Sequence, residues 1–153
     1  MTEHDIRAGA LRRLQQELEL PPFHHVLRPR PIDVDPDKGI VVIGLEFRDE
    51  LRRLPHDNSY HGGVIATLID LAGHAAVAVK IGRTAPTIDL RIDYLRPTDN
   101  SSLTATAKLI TLGRSVARAD IEVVDDQGHL IAIGRGSYSS KQPGAEGAAK
   151  SFG

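Results

Sequence analysis

Residues 61–79 read HGGVIATLIDLAGHAAVAV, and the reading of this stretch decides the fold. After His61-Gly62-Gly63 the segment is apolar or small almost all round, the pattern of a helix buried on every side. It nevertheless carries a carboxylate, Asp70, and an imidazole one turn later, His74. Val64 to Val79 falls short of the roughly 20 apolar residues that a membrane span needs. The expectation is therefore a core helix and no membrane partner.

Working outward, Thr2 to Leu20 reads as an amphipathic helix. Ile6, Ala10, Leu14 and Leu18 recur every four residues beside Leu11, while Arg7, Arg12, Arg13 and Glu17 fall elsewhere. Pro21-Pro22 ends it. Residues 29–38, rich in proline and aspartate, read as a loop or an irregular edge strand. Gly39 to Phe47 reads as a strand, and residues 48–60 as a charged, irregular lead into the core helix.

Beyond Gly82 four strands are expected. In Pro86 to Arg96, Ile88, Leu90, Ile92 and Tyr94 alternate with Asp89, Arg91 and Asp93, the clearest half-buried pattern in the chain. Ser102 to Leu112 changes phase at Leu109-Ile110, as a β-bulge would. Gly113-Arg114 and Asp125 to Gly128 are turn signals around the next strand, and Leu130 to Ser139 is the last. The tail, residues 141–153, has no periodicity and is expected to be disordered.

One apolar helix between a first strand and three hairpin-linked strands implies an α+β domain, an antiparallel sheet wrapped around that helix. A sheet covers one side only, so a second subunit is expected to cover much of the rest. The chain has 153 residues, 41% hydrophobic and 25% charged, which suits one domain with a real core, residues 1–140. With 19 basic and 20 acidic side chains the net charge is -1, which argues against nucleic acid as a partner. The absence of cysteine excludes disulfides and thiol nucleophiles. The charged N-terminus lacks an apolar signal core, so a cytoplasmic location is the default expectation.

Gly63, Thr67, Asp70 and His74 share one weakly polar helix face. Burying an unpaired carboxylate costs several kcal/mol, roughly a large share of a domain's net stability. Either Asp70 is neutralised by His74 or an arginine of the sheet, or it is a reacting group. Helix-start amides at the positive end of the dipole suit a developing oxyanion, and two glycines leave them sterically open. A loop that merely needs flexible glycine is the bland alternative. His24-His25, His56 and His129 fall in loops or turns and read as surface residues. A metal site of His61, Asp70 and His74 would need His61 folded back over two helical turns, so no metal is expected.

HGGVIATLIDLAGHAAVAV, PTIDLRIDYLRP and LGRSVARADIEVVDDQGHLIAIGRGSY together resemble the hotdog-fold thioesterases, and most closely the PaaI-type acyl-CoA thioesterases of phenylacetate pathways. The resemblance covers roughly residues 38–140. It implies an acyl-CoA thioesterase of the hotdog fold with no cofactor, coenzyme A being part of the substrate. Asp70 would then be general base or nucleophile, the Gly63 amide with Gly62 beside it would polarise the thioester oxygen, and His61 would lie near the thiolate. Thr87 falls where relatives place a Ser or Thr of the partner subunit that holds the attacking water. Arg96 and Arg114 are candidates for the coenzyme A phosphates. His74 is not part of the family pattern and reads either as a substrate-side residue or as a buried partner of Asp70 that tunes its pKa. The family often has Asn or Gln six residues before the histidine. Here that position is Pro55, and Asn58 is the candidate replacement. A homodimer is the implied minimal unit, and a homotetramer is usual in the family. Two other readings remain on the same fold: a non-catalytic acyl-CoA sensor, and an acyl-CoA hydratase or dehydratase.

Overall fold

The core helix, α3, runs from Gly62 to Ile81 in the computed structural model, which describes residues 1–144. Around it lie α1 (Glu3–Glu19), α2 (His24–Leu27) and six strands: β1 (Arg30–Asp35), β2 (Ile40–Leu45), β3 (Thr87–Tyr94), β4 (Leu103–Leu112), β5 (Val116–Val124) and β6 (Leu130–Ser139). They form one antiparallel sheet in the order β1-β2-β4-β5-β6-β3, the hotdog arrangement of a sheet around a central helix. The disorder expected of the tail concerns mostly residues 145–153, which lie outside the described residues.

The sheet can nest against α3 because its inner face is small. Ala105 and Ala107 of β4 and Ala117 and Ala119 of β5 are fully buried, facing Leu68, Ile69, Ala72 and Ala75 of the helix. The closest approach is at Gly73, where an added Cβ would sit 2.0 Å from the Tyr138 hydroxyl and 3.0 Å from Ile121 Cδ1. By length and composition α3 reaches the range of a membrane span, yet ten of its twenty residues are buried within this fold.

Helix α1 forms where its pattern predicts. Thr2 and Asp5 make a reciprocal capping box at its start, Thr2 Oγ1 accepting from the Asp5 amide at 3.2 Å and Asp5 Oδ2 accepting from the Thr2 amide at 2.9 Å. Its last turn has no basic residue of its own. The imidazoles of His24 and His25 reach back to the Leu18 and Glu19 carbonyls at 3.2 and 2.8 Å instead, so these histidines cap a helix rather than decorate a loop. The 29–38 segment is an edge strand, irregular between Pro31 and Asp33, and the bulge in β4 falls between Leu109 and Thr111.

Two expectations change. The free side of α3 is not left wholly to a second subunit, because α1 lies across it and buries Leu14, Glu17 and Leu18. Glu17 therefore faces the core helix instead of the solvent side of α1. The other change concerns β3. Leu90 and Ile92 pack half-buried against the core, but the outer two apolar residues of the pattern do not: Ile88 is 55% and Tyr94 54% exposed. The reason is position, since β3 is the last strand of the sheet and pairs only with β6.

Candidate active site

Asp70 lies half-buried in the middle of α3, and its partner comes from β3. The short connection after the left-handed Gly82 turns the chain back along the helix, so that Thr87 begins β3 beside Asp70. The Thr87 hydroxyl donates to Asp70 Oδ1 at 2.7 Å. A hydroxyl donating to a carboxylate is a charge-assisted bond, and it leaves the second carboxylate oxygen and the hydroxyl's lone pairs for a further molecule. Tyr138, from β6, points its hydroxyl at the Asp70 carbonyl at 3.4 Å. Burial, with the charges of Asp70 and Asp89 adding to it, pushes the Tyr138 phenol well above its usual range and keeps it protonated.

The Asp70–Thr87 pair thus forms within one chain. The short loop after α3 brings Thr87 to the Asp70 of its own chain. An ion pair of Asp70 with a sheet arginine is also absent among the described residues.

The helix start is occupied by its own cap. His61 is the N-cap of α3, and its Nδ1 accepts from the Gly63 amide at 2.9 Å. The donor expected to polarise a thioester oxygen is therefore held by an imidazole nitrogen, which stands where a substrate oxygen would sit. Thr67, on the same face, satisfies itself by donating to the Gly63 carbonyl at 2.8 Å. The two glycines differ. A Cβ at Gly63 would crowd His61 Nδ1 at 3.0 Å, whereas one at Gly62 would meet only Tyr94, at an ordinary 3.6 Å. Packing inside this chain does not require glycine at position 62.

Tyr94, at the far end of β3, braces the helix start by donating to the Gly62 carbonyl at 2.7 Å. Beside it opens a cavity of about 340 Å³, lined by Tyr60, Gly62, Ile65 and Tyr94 and by the arginines Arg53 and Arg96. A hollow of equal volume lies on the sheet between Arg91, Asp120, Glu122 and Arg135, but none of the expected site residues borders it. Tyr94 and Arg53 were not expected from the sequence. The Tyr-Leu-Arg-Pro strand end was the signal for the first, and no local signal marks the second.

The remaining candidates separate. Arg96 is exposed beside the helix start, while Arg114 is exposed in the β4–β5 turn, at the end of the sheet where Thr87 begins. Thr87 to Arg96 is nine strand steps, roughly 30 Å, so the two arginines of one chain do not serve one group. Asn58 is spent on loop contacts, receiving Arg52 at 3.3 Å and donating to Asp99 at 3.4 Å. His74 is engaged within the chain: its Nε2 accepts from the Ala85 amide at 3.2 Å and lies 3.8 Å from Glu17. Among the described residues it makes no hydrogen bond to Asp70. Among the described residues no group of three or more His, Asp or Glu is placed to hold a metal ion.

The chain thus holds a half-buried carboxylate with a hydroxyl on one oxygen and, about two helical turns away, a glycine-lined helix start on the same helix. The model describing the thioesterase superfamily matches residues 58–132. A Halobacterium salinarum protein named only as a candidate esterase is 37% identical over 115 residues, covering 68% of this chain and 76% of that one. The medium/long-chain acyl-CoA thioesterase YigI of Escherichia coli is 35% identical over 96 residues, covering 51% of this chain and 60% of that one. Among solved structures, the E. coli PaaI protein from the phenylacetic acid degradation operon superposes with a TM-score of 0.77. It is 27% identical, covering 88% of this chain and 94% of PaaI. The chain belongs to the thioesterase superfamily, and it is a thioester hydrolase.

Proposed function

We propose that the protein hydrolyses acyl-coenzyme A thioesters, with Asp70 as the general base and a site completed by a second copy of the chain. The observation that carries this is the 2.7 Å bond from Thr87 to Asp70, which fixes one carboxylate oxygen and leaves the other to take a proton from water. The acyl-CoA class is supported by the similarity to YigI, whose name gives medium- and long-chain substrates. The arginines Arg53 and Arg96 at the cavity mouth suit a phosphate-bearing thiol carrier.

Distance argues for the second copy. Asp70 is seven residues beyond Gly63, about 10 Å along a helix. The Gly63 amide points out of the helix end, away from Asp70, so a carbonyl oxygen bound there lies farther still. An oxyanion must lie within about 3 Å of its donor, and the attacking water within about 3 Å of the base. One chain's amide and carboxylate therefore do not meet on one carbonyl. Two helices running antiparallel about a two-fold axis would bring each Gly63 toward the other copy's Asp70. The free edge of β3, with exposed Ile88, Tyr94 and Leu95, is a surface that such a copy could continue as sheet. Glycine at position 62 then makes room for a neighbour from outside the chain.

In this reading water attacks the thioester carbon as Asp70 takes one of its protons. The oxyanion rests on the other copy's Gly63 amide once His61 has swung off it. The carbon–sulfur bond then breaks to give the carboxylic acid and the thiolate of coenzyme A beside His61; Asp70 releases the proton it took, through water, and the thiolate takes it up. The test is a panel of acyl-CoA thioesters, aliphatic and aromatic, followed by thiol release. Turnover by the native enzyme that Asp70→Asn abolishes, with acyl-CoA binding kept, supports the reading. Hydrolysis surviving in Asp70→Asn overturns it.

A further inference from the structure

The motifs just described leave His74 unused, although it lies one helical turn beyond Asp70. Its side chain is 16% exposed, wedged between α1 and the segment that leads into β3. On the β3 side Nε2 accepts the Ala85 amide at 3.2 Å. An imidazole nitrogen that accepts must be unprotonated, so the neutral ring carries its proton on Nδ1. Ala85 is fully buried and stands two residues before Thr87, with Pro86 stiffening the step between them. What His74 holds is therefore the start of the strand that presents Thr87 to Asp70.

On the α1 side the same nitrogen faces Glu17 Oε2 at 3.8 Å, too far for a hydrogen bond. Glu17 is itself buried and paired with Arg13 at 2.5 Å, while Arg13 Nε has no partner. The charged and titratable groups around the ring are Glu17 and Arg13 from α1, His24 from α2, and Asp70 from α3 itself. Burial pushes the imidazole below its usual range, while Glu17 and Asp70 pull the other way and His24 and Arg13 add to the lowering. Neutral His74 is thus the resting form, and the geometry contains a second position for the protonated one. A proton on Nε2 repels the Ala85 N–H and has the Glu17 carboxylate within a small movement.

We propose that His74 is a positioning residue for the Asp70–Thr87 pair: unprotonated, its Nε2 anchors Ala85 and hence Thr87; protonated, it turns to Glu17 and releases the start of β3. Acid would then weaken catalysis through the hydroxyl that orients Asp70 as well as through Asp70 itself. The inference rests on the thioesterase reading for its consequence in turnover, but its structural half does not.

Two measurements therefore run in parallel across pH on the full chain. One is thiol release from an acyl-CoA substrate that the native enzyme turns over. The other is hydrogen exchange in the peptide that contains Ala85. In the native protein the protection of Ala85, taken relative to the intrinsic exchange rate at each pH, falls together with kcat through one shared acid-side step. His74→Gln keeps an acceptor for Ala85 without titrating, so the step disappears from both measurements. His74→Ala lowers kcat about tenfold at neutral pH with KM nearly unchanged, the loss expected from one positioning hydrogen bond. Glu17→Gln removes the group that favours the protonated ring and moves the step to lower pH. If His74→Ala does not fold, the Gln pair decides. An identical acid step in native protein and His74→Gln overturns the proposal, as does an Ala85 amide whose exchange ignores both variants. Absence of turnover together with the exchange step would sink the thioesterase reading alone.

Discussion

The middle and the start of the polar face of α3 are built differently. At its middle, Asp70 and Thr87 are complete within one chain, joined at 2.7 Å and backed by Tyr138. At its start, the Gly63 amide is closed off by the chain's own His61. The middle owes its assembly to a short loop, which leaves β3 no other course. The start has no such partner from within the fold, so the N-cap rule supplies one by default. A site that needs both ends must displace the cap and bring the ends of two helices together.

The sharpest way to break this contrast is to inactivate each end in a different chain. Asp70→Asn should lower kcat by about 10³-fold or more, at the upper range for general-base catalysis. Gly63→Pro deletes the amide while proline is tolerated in a first helical turn, and should cost on the order of 10²- to 10³-fold. Co-expressed and exchanged into mixed dimers, the two inactive chains should recover about a quarter of native activity, because half of random pairs are mixed and each holds one intact site. No recovery in verified mixed dimers would place both ends in one chain.

Thr87→Ala probes the middle alone. A hydrogen bond to a charged group is worth about 1.5–3 kcal/mol, so kcat should fall roughly 10- to 100-fold, with Thr87→Ser recovering most of it. Gly73→Ala is a structural control on the same helix. Its Cβ collides with Tyr138, which should cost about 1–3 kcal/mol in denaturant unfolding. His61→Ala removes the cap and should cost about 1 kcal/mol of stability, with a smaller loss of turnover than Gly63→Pro because the amide itself survives.

The smallest effect is a pH slope. His74 in the folded chain lies below its unfolded value, so the unfolded chain takes up the proton first as pH falls. Its contribution to stability is full above about pH 6.5 and is lost as the pH drops below that value toward the folded one. Urea unfolding of His74→Gln across this window should lack that part of the slope.

Much of this was legible from local pattern. The amphipathic helix α1, the bulge after Leu109 and the hairpin at Asp125 each depend on residues close in sequence, and each formed where its signal lay. Asp70 announced itself because a carboxylate in an apolar helix is costly unless something answers it. The errors were all of orientation and partnership. Glu17 fell outside the apolar stripe of α1, but the crossing of α1 over α3 turned it inward beside His74. Ile88 and Tyr94 alternate like a buried strand face, and sheet order left them on an edge.

The sequence by itself determined most of the elements, the α+β class and the identity of the unusual carboxylate, because periodicity and turn chemistry act over a few residues; the hotdog class came from the resemblance of its motifs to a known family. Only the tertiary structure decided who meets whom: Thr87 with Asp70, His61 with the Gly63 amide, Ala85 with His74. Those contacts depend on where loops return the chain, and periodicity along the sequence carries no record of that return.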